Sequence, residues 1–317
     1  MRVFRHTSAS DDSRGAVVAA GNFDGVHLGH QAVLGEAKAL AKSLNAPFAV
    51  LTFEPHPRVV FQPGLPPFRL TPFRAKSREL EVLGVDLLFT LHFDLAFAQK
   101  TAEEFVADVL VAGLGAKAVV VGYDFVFGNK RRGTAELLQA EGPKHGFDVK
   151  IVAPVSASSG LGSGGVVYSS TQIREHLVAG RPREAAALLG RPWEIDGRVE
   201  LGDKLGRTIG FPTANVHLDD YLRPAPGVYA VRAGIEEGGQ TEWHDGAANL
   251  GWRPTVGGKD LRLETHLFDF GGDLYGKHLR VAFIERLRPE QRFAGLDALK
   301  AQIAVDCQKA REILASA

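Results

Sequence analysis

Ala16-Val-Val-Ala-Ala-Gly21-Asn-Phe-Asp-Gly-Val-His27-Leu-Gly-His30-Gln31 is the stretch that decides the fold. Its first five residues are apolar and bounded by Gly15 and Gly21, so they read as a short buried strand, while residues 31–44 carry apolar side chains at helical spacing. Strand, tight turn and helix therefore follow one another directly. Such a junction points the unpaired N–H groups of the helix's first turn beyond the carboxyl edge of a sheet, where phosphate is the usual occupant. His27 and His30 would add donors beside that anion, and charge when protonated. Taken alone, the pair reads equally well as two solvent-facing loop histidines.

Outward from this turn the pattern repeats. Apolar runs at 48–53, 86–91 and 117–122 are each followed by a helical segment, at 72–83, 102–110 and 134–145. Strand–helix alternation of this kind builds a parallel sheet wrapped by helices. Thr71-Pro72 predicts a capping hydroxyl before a proline at the first helical position, and Thr101 with Glu104 has capping-box spacing. Residues 156–165 are rich in Ser and Gly and read as a mobile loop; their Gly162-Ser-Gly-Gly165 lacks the strand–helix context of a dinucleotide fingerprint. Helices are expected at 171–179 and 183–189, and Gly190-Arg191-Pro192 marks a boundary, giving domains 1–190 and 191–317.

Beyond Trp193 the rhythm changes. Segments 194–201, 228–235, 242–250, 262–270 and 279–287 are β-rich and closely spaced, with Gly-bearing turns such as Glu237-Gly238-Gly239, which favours a small antiparallel barrel. Leu296, Leu299, Ile303, Cys307, Ala310 and Leu314 recur at spacings of three and four, predicting a C-terminal helix whose apolar face packs on the core. Gly271-Gly-Asp-Leu-Tyr-Gly-Lys277 has Walker A spacing, but His278 replaces the Ser or Thr that would bind magnesium and a strand is expected to follow, so the segment reads as a hairpin.

Composition bounds the answer. At 317 residues the chain exceeds one ordinary core, which makes two domains the default. Lys plus Arg and Asp plus Glu both total 37, so no global basic field argues for nucleic acid. The single cysteine, Cys307, can form no intrachain disulfide, and no segment approaches the apolar length of a membrane span. The expectation is a cytoplasmic protein with small-molecule substrates, no membrane association and no obligate protein partner.

The opening turn, with Phe53-Glu-Pro-His-Pro-Arg58, Gly122-Tyr-Asp-Phe-Val-Phe-Gly128 and Ser169-Ser-Thr-Gln-Ile-Arg174, resembles the adenylyltransferase module of the prokaryotic bifunctional riboflavin kinase/FAD synthetases. Gly202-Asp-Lys-Leu-Gly-Arg-Thr-Ile-Gly-Phe-Pro-Thr-Ala-Asn215, Gly227-Val-Tyr-Ala230, Asn249-Leu-Gly-Trp-Arg-Pro-Thr255 and Leu263-Glu-Thr-His-Leu267 resemble that family's riboflavin kinase module, in the same order. The resemblance implies a Rossmann-like nucleotidyltransferase domain with a parallel sheet, then a small antiparallel β-barrel with a C-terminal helix. It further implies two reactions: the phosphate of FMN attacks the α-phosphate of ATP to give FAD and pyrophosphate, and the ribityl hydroxyl of riboflavin takes the γ-phosphate of ATP to give FMN.

For the first reaction the resemblance assigns ATP to Gly21, Asn22, Phe23, Asp24, Gly29 and Asp124, with His27 and His30 catalytic. Ser170, Thr171 and Arg174 are assigned to the β and γ phosphates, Arg174 as a further catalytic residue; helix capping by the two hydroxyls is compatible with that role. Gln172 stands where many relatives carry arginine. Phe53, Pro55, His56 and Pro57 are placed near the flavin, although His56 between two prolines fits a structural role as well. Lys130-Arg131-Arg132 reads as solvated surface or as a screen for phosphate charge. For the second reaction Glu264 is the base that takes the hydroxyl proton, Gly202, Lys204, Gly206 and Thr208 approach ATP, and Thr213 and Asn215 offer oxygens suited to Mg²⁺. Two other readings use the same motifs: an adenylyltransferase acting on another phosphorylated substrate, and a flavin- or nucleotide-binding regulator that consumes no ATP.

Overall fold

The computed structural model describes residues 1–7, 13–157, 166–201, 206, 209–255 and 258–316. They form two compact units, Met1–Pro66 with Thr71–Ser169, and Pro67–Leu70 with Ser170–Ala317.

In the first unit six strands form one parallel sheet: β1 (Arg2–Phe4), β2 (Val17–Ala20), β3 (Phe48–Glu54), β4 (Leu87–His92), β5 (Ala118–Gly122) and β8 (Asp148–Val152). Their order is β1-β4-β3-β2-β5-β8. Alternate residues of β2 serve opposite faces, as a pleated strand requires. Val17 and Ala19 meet α1 (Leu28–Ser43) through Leu34 and Ala37 and α3 (Phe73–Val82) through Leu80. Val18 and Ala20 share the other core with Phe105, Leu110, Ala135 and Leu138. The sheet is thus covered on both faces, which explains why its strands read as continuous apolar runs rather than alternating ones. A second short helix, α2 (Pro57–Phe61), follows β3 directly.

The expected helix at 102–110 begins with the predicted capping box: Glu104 N–H donates to Thr101 Oγ1 at 3.1 Å and Thr101 N–H to Glu104 Oε2 at 2.8 Å. Only α4 (Ala102–Glu104) is α-helical, however; Phe105–Gly113 continues as a π-helix, three residues farther than periodicity suggested. Helix α5 (Ala135–Glu141) is capped by Thr134 and ends in a 3₁₀ turn, Gly142–His145. Two short pairs complete the unit, β6 (Val126–Phe127) with β7 (Gly133–Thr134) and β9 (Ser156–Ala157) with β10 (Val166–Val167). From 158 to 165 the predicted loop lies outside the described residues.

The second unit opens with α6 (Ser170–Val178) and α7 (Pro182–Leu189), and α7 packs on strands β11 (Trp193–Arg198) and β16 (His278–Arg288). Residues 67–70 belong here too: Trp193 Nε1 donates to Leu70 O at 2.9 Å, and Arg69 bridges Tyr221. By compactness the chain therefore divides at Ser169, ahead of the Gly190-Arg191-Pro192 signal. Four further strands, β12 (Ala214–His217), β13 (Gly227–Glu237), β14 (Gln240–Thr255) and β15 (Gly258–Leu267), complete an antiparallel sheet of order β11-β16-β13-β14-β15-β12. A bridge between Glu200 and Asn215 joins its two edges, so the sheet closes toward a barrel. Gly238 and Gly239 make the expected two-residue turn, with Glu237 opposite Gln240. Gly271–Lys277 is not a hairpin as read from sequence. It joins β15 to β16, but β15 pairs with β14 and β12, and β16 with β11 and β13.

Helix α8 (Leu296–Leu314) also departs in part from expectation. Ala310 and Leu314 are buried against Ala230, Ala247 and Phe268, whereas Leu296 is 55% exposed and Leu299, Ile303 and Cys307 line a cavity. The apolar stripe serves the core at one end and a binding space at the other.

Candidate active sites

Consecutive strands run outward from β2 through β3 to β4, and the chain then returns to the other side of β2 with β5. The reversal lies between β2 and β5, and ligands of open parallel sheets bind at the carboxyl ends beside such a switch point. The Gly21–His30 turn leaves the end of β2, and Gly122 and the exposed Asp124 leave the end of β5. Phe53, Pro55, His56 and Pro57 lie at the end of the adjacent β3. Parallel topology thus collects these three motifs at one edge.

The turn itself is tightly held. His27 is the N-cap of α1, its Nδ1 accepting the His30 N–H at 3.3 Å. With Nδ1 an acceptor, the neutral ring carries its proton on Nε2, where it is a donor. The His27 and His30 rings stack, centroids 3.6 Å apart at 21°. Gly29 keeps this packing free of crowding: a Cβ there would stand 3.1 Å from His27 ring atoms and 3.3 Å from Tyr168 Cβ, so those side chains would have to shift by a few tenths of an ångström. Phe23 and Val26 adopt left-handed backbone with φ of 49° and 46°, a conformation that costs a β-branched residue free energy and persists only where neighbours enforce it.

Asp24 supplies one such constraint. Its Oδ1 accepts the Thr71 N–H at 3.0 Å, and Thr71 Oγ1 accepts the Gly25 N–H at 2.8 Å. Thr71 therefore does not cap α3 as predicted. The N-cap is Pro72, which makes no side-chain capping bond, and the threonine is committed to the turn. Lys76 went unnoticed in the sequence. It is 1% exposed, and its Nζ lies 3.1 Å from Asn22 O, 3.2 Å from Thr52 Oγ1 and 3.3 Å from Glu54 Oε1.

At the β3 end, His56 is the N-cap of α2, its Nδ1 accepting the Arg58 N–H at 3.1 Å, so a structural task for this histidine is present. The Phe53 ring sits among Phe93 and Phe97, each 5.7 Å away. In the basic loop, Lys130 and Arg131 are exposed and both have left-handed backbone. Ser170, Thr171 and Arg174 fall at the start of α6, in the second unit. There Arg174 Nε donates to Phe68 O at 2.9 Å and the guanidinium covers the Phe68 ring at 5.4 Å.

The second unit has its own site. Asn215 on β12, Glu264 on β15 and Asn249 on β14 stand in register as one row across three strands. All three, with Thr213, line a cavity of about 500 Å³ walled on another side by Leu299, Ile303 and Cys307 of α8. Asn249 received no role from sequence reasoning, although its motif was noted; only the strand register reveals its alignment with Glu264. Gly206 is described, and a Cβ on it would collide with Phe211 O and lie 3.5 Å from Thr213 Oγ1, so glycine is needed for that close approach. Gly202, Lys204 and Thr208 lie outside the described residues. Among the described residues no group of three or more His, Cys, Asp or Glu could hold a metal ion. The hydroxyl of Thr213 and the amide oxygen of Asn215 are hard donors, fitting a cation that keeps several waters and is shared with phosphate.

At the outer wall Arg288 grips Asp306 of α8 through Nε–Oδ1 and Nε–Oδ2 contacts of 3.1 and 3.0 Å and an Nη2–Oδ2 bond of 2.7 Å. Burial, and next the Asp306 carboxylate, push the Cys307 thiol up to about 11.

Comparison with known proteins places each half in turn. The family model for FAD synthetase matches residues 9–164, and that for riboflavin kinase matches 189–314. The bifunctional riboflavin kinase/FMN adenylyltransferase of Escherichia coli (strain K12) is 45% identical over 97% of this chain and 95% of its own length. Those of Haemophilus influenzae and Bacillus subtilis are 43% and 37% identical, covering 94% and 96% of this chain and 94% of each relative. A solved structure described as a macrolide-efflux protein from Streptococcus pneumoniae superposes with a TM-score of 0.84 at 33% identity, covering 98% of both chains. No described helix of the present chain is long and apolar enough to cross a membrane.

Proposed function

The chain belongs to the bifunctional riboflavin kinase/FMN adenylyltransferase family, and from that premise we propose which of its residues carry each step. It phosphorylates riboflavin to FMN with its C-terminal domain and adenylylates FMN to FAD with its N-terminal domain, using ATP in both reactions. The division of the two activities at residues 190 and 191 is our assignment; α6 lies between the two matched spans and folds with the second unit.

In adenylylation an oxygen of the FMN phosphate attacks the α-phosphorus of ATP as the bond to pyrophosphate breaks. No covalent enzyme intermediate is required, so the task is alignment and stabilisation of charge. His27 and His30 donate to ATP phosphate oxygens at the N-terminus of α1, with the backbone of Gly21, Asn22, Phe23 and Gly29 lining the approach. Asp24 serves this turn from within, through Thr71. Asp124 holds the ribose or a base edge, and the Phe53–Pro57 segment borders the flavin. The observation that carries this reading is the stacked histidine pair at the switch point of the sheet. Residue type supports phosphate binding by Ser170, Thr171 and Arg174.

In phosphorylation the ribityl hydroxyl attacks the γ-phosphorus of ATP and ADP leaves. Glu264 accepts the hydroxyl proton, supported by its position in the cavity beside Asn215 and Asn249. Thr213 and Asn215 would hold Mg²⁺, which when bound supplies charge neutralisation across the ATP phosphates. Gly202, Lys204, Gly206 and Thr208 approach those phosphates. Composition supports a cytoplasmic setting.

The two assignments are tested together. Glu264→Ala should abolish FMN formation and leave conversion of supplied FMN to FAD intact, and His30→Ala should do the reverse. Equal loss of both activities in either folded variant contradicts separate sites.

A further inference from the structure

A lysine with its ammonium wholly inside a domain is unusual, because burying a charge is costly unless every donor is matched. Lys76 is 1% exposed, and its three N–H donors face three oxygens: Asn22 O, Thr52 Oγ1 and Glu54 Oε1. These oxygens come from two separate stretches of the unit, the turn at Asn22 and strand β3. Thr52 is itself buried; its hydroxyl accepts from Lys76 and donates to Asn22 O at 3.3 Å. The carbonyl that both groups hold belongs to the peptide between Asn22 and Phe23.

That peptide lies within the turn leading to His27 and His30. In a trans peptide the C=O and the following N–H point in opposite directions. Holding Asn22 O inward toward Lys76 therefore turns the Phe23 N–H the other way, and fixes the residue whose left-handed φ of 49° the turn must sustain. On the far side of the same turn Thr71 binds Asp24 and Gly25. The turn is thus anchored at two points by the chain entering α3 and by α3 itself, and one of those anchors is a buried cation.

We propose that Lys76 is a positioning residue for FMN adenylylation: seated beneath the Gly21–His27 turn, it holds the Asn22 carbonyl inward and so sets the backbone that receives ATP. The proposal rests on the reading of that turn as the adenylylation site. Lys76 touches neither substrate and exchanges no proton; its effect is on the geometry of the groups that do.

The test uses the full chain with three variants, Lys76→Met, Thr52→Val and His30→Ala, assayed for FAD formation from FMN and ATP. Riboflavin phosphorylation by the same preparations gauges the amount of folded enzyme. Lys76→Met, which keeps the aliphatic stem and removes the donors, should lower kcat/KM for ATP by on the order of 10- to 100-fold, the scale of a catalytic geometry displaced by about an ångström. KM for ATP should carry most of the change and riboflavin phosphorylation should be unchanged. Thr52→Val should move KM for ATP in the same direction by less. A purely structural lysine would lower apparent kcat, through fewer active molecules, at unchanged KM. Wild-type KM for ATP in folded Lys76→Met overturns the proposal. If Lys76→Met loses both activities, Thr52→Val decides: a raised KM for ATP supports the proposal and an unchanged one overturns it. Undiminished FAD synthesis by His30→Ala instead overturns the underlying reading of the turn.

Discussion

Cys307 illustrates how far surroundings set the chemistry of a single residue. Its thiol is raised from an ordinary 9.0 to about 11, first by burial and then by the neighbouring Asp306 carboxylate. The fold therefore favours the neutral thiol. Its contribution to stability is fully present below the unfolded value near 9 and is lost as pH rises from 9 through about 11. Because the thiolate is the nucleophile, a shift of two pKa units should slow iodoacetamide labelling at pH 8 by about 100-fold relative to a free cysteine peptide. Labelling at the peptide's rate would show that the thiol is not shielded where α8 walls the cavity. Residues of this kind differ in how far the sequence reveals them. His27 and His30 were legible because their spacing is local. Lys76 was not, since a lysine in a helical segment reads as solvent-facing and its burial depends on Asn22, Thr52 and Glu54, all distant along the chain.

Helix α8 shows the same contrast among elements. Its existence followed from periodicity, but its division between core and cavity did not, because that depends on which strand lies beneath each turn. The side chains of Arg288 and Asp306, 17% and 7% exposed, fasten the helix where the two roles meet. Asp306→Ala leaves the guanidinium poorly compensated and should cost the second unit about 3 kcal/mol, the scale of breaking a largely buried ion pair. Urea denaturation followed by loss of riboflavin phosphorylation measures it, and an unchanged midpoint would remove the pair from the account. The four central strands of the parallel sheet were legible because strand–helix alternation with buried runs has few other solutions, whereas the edge strands Arg2–Phe4 and Asp148–Val152 lack a continuous apolar run and were not. Strand β12 does not show in the sequence, because Ala214–His217 is too short for alternation to appear and forms the tail of a motif. The π-helical course of Phe105–Gly113 has no side-chain period that distinguishes it from an α-helix at this length. Gly271–Lys277 misled because glycines mark a turn without saying which strands it joins.

Over the whole molecule, two units of different architecture each present a site suited to one ATP-dependent step on a flavin. The first offers a helix N-terminus with stacked imidazoles and suits transfer between phosphates, whereas the second offers a carboxylate in a row of amides lining a cavity and suits activation of a hydroxyl. The product of the second is the substrate of the first, so the order of reaction reverses the order of the chain. Purified protein incubated with riboflavin, ATP and Mg²⁺, with products separated by chromatography over time, tests this most directly. FMN should appear first and FAD should follow at its expense; FMN that accumulates without FAD, or ATP left unconsumed, would contradict the account.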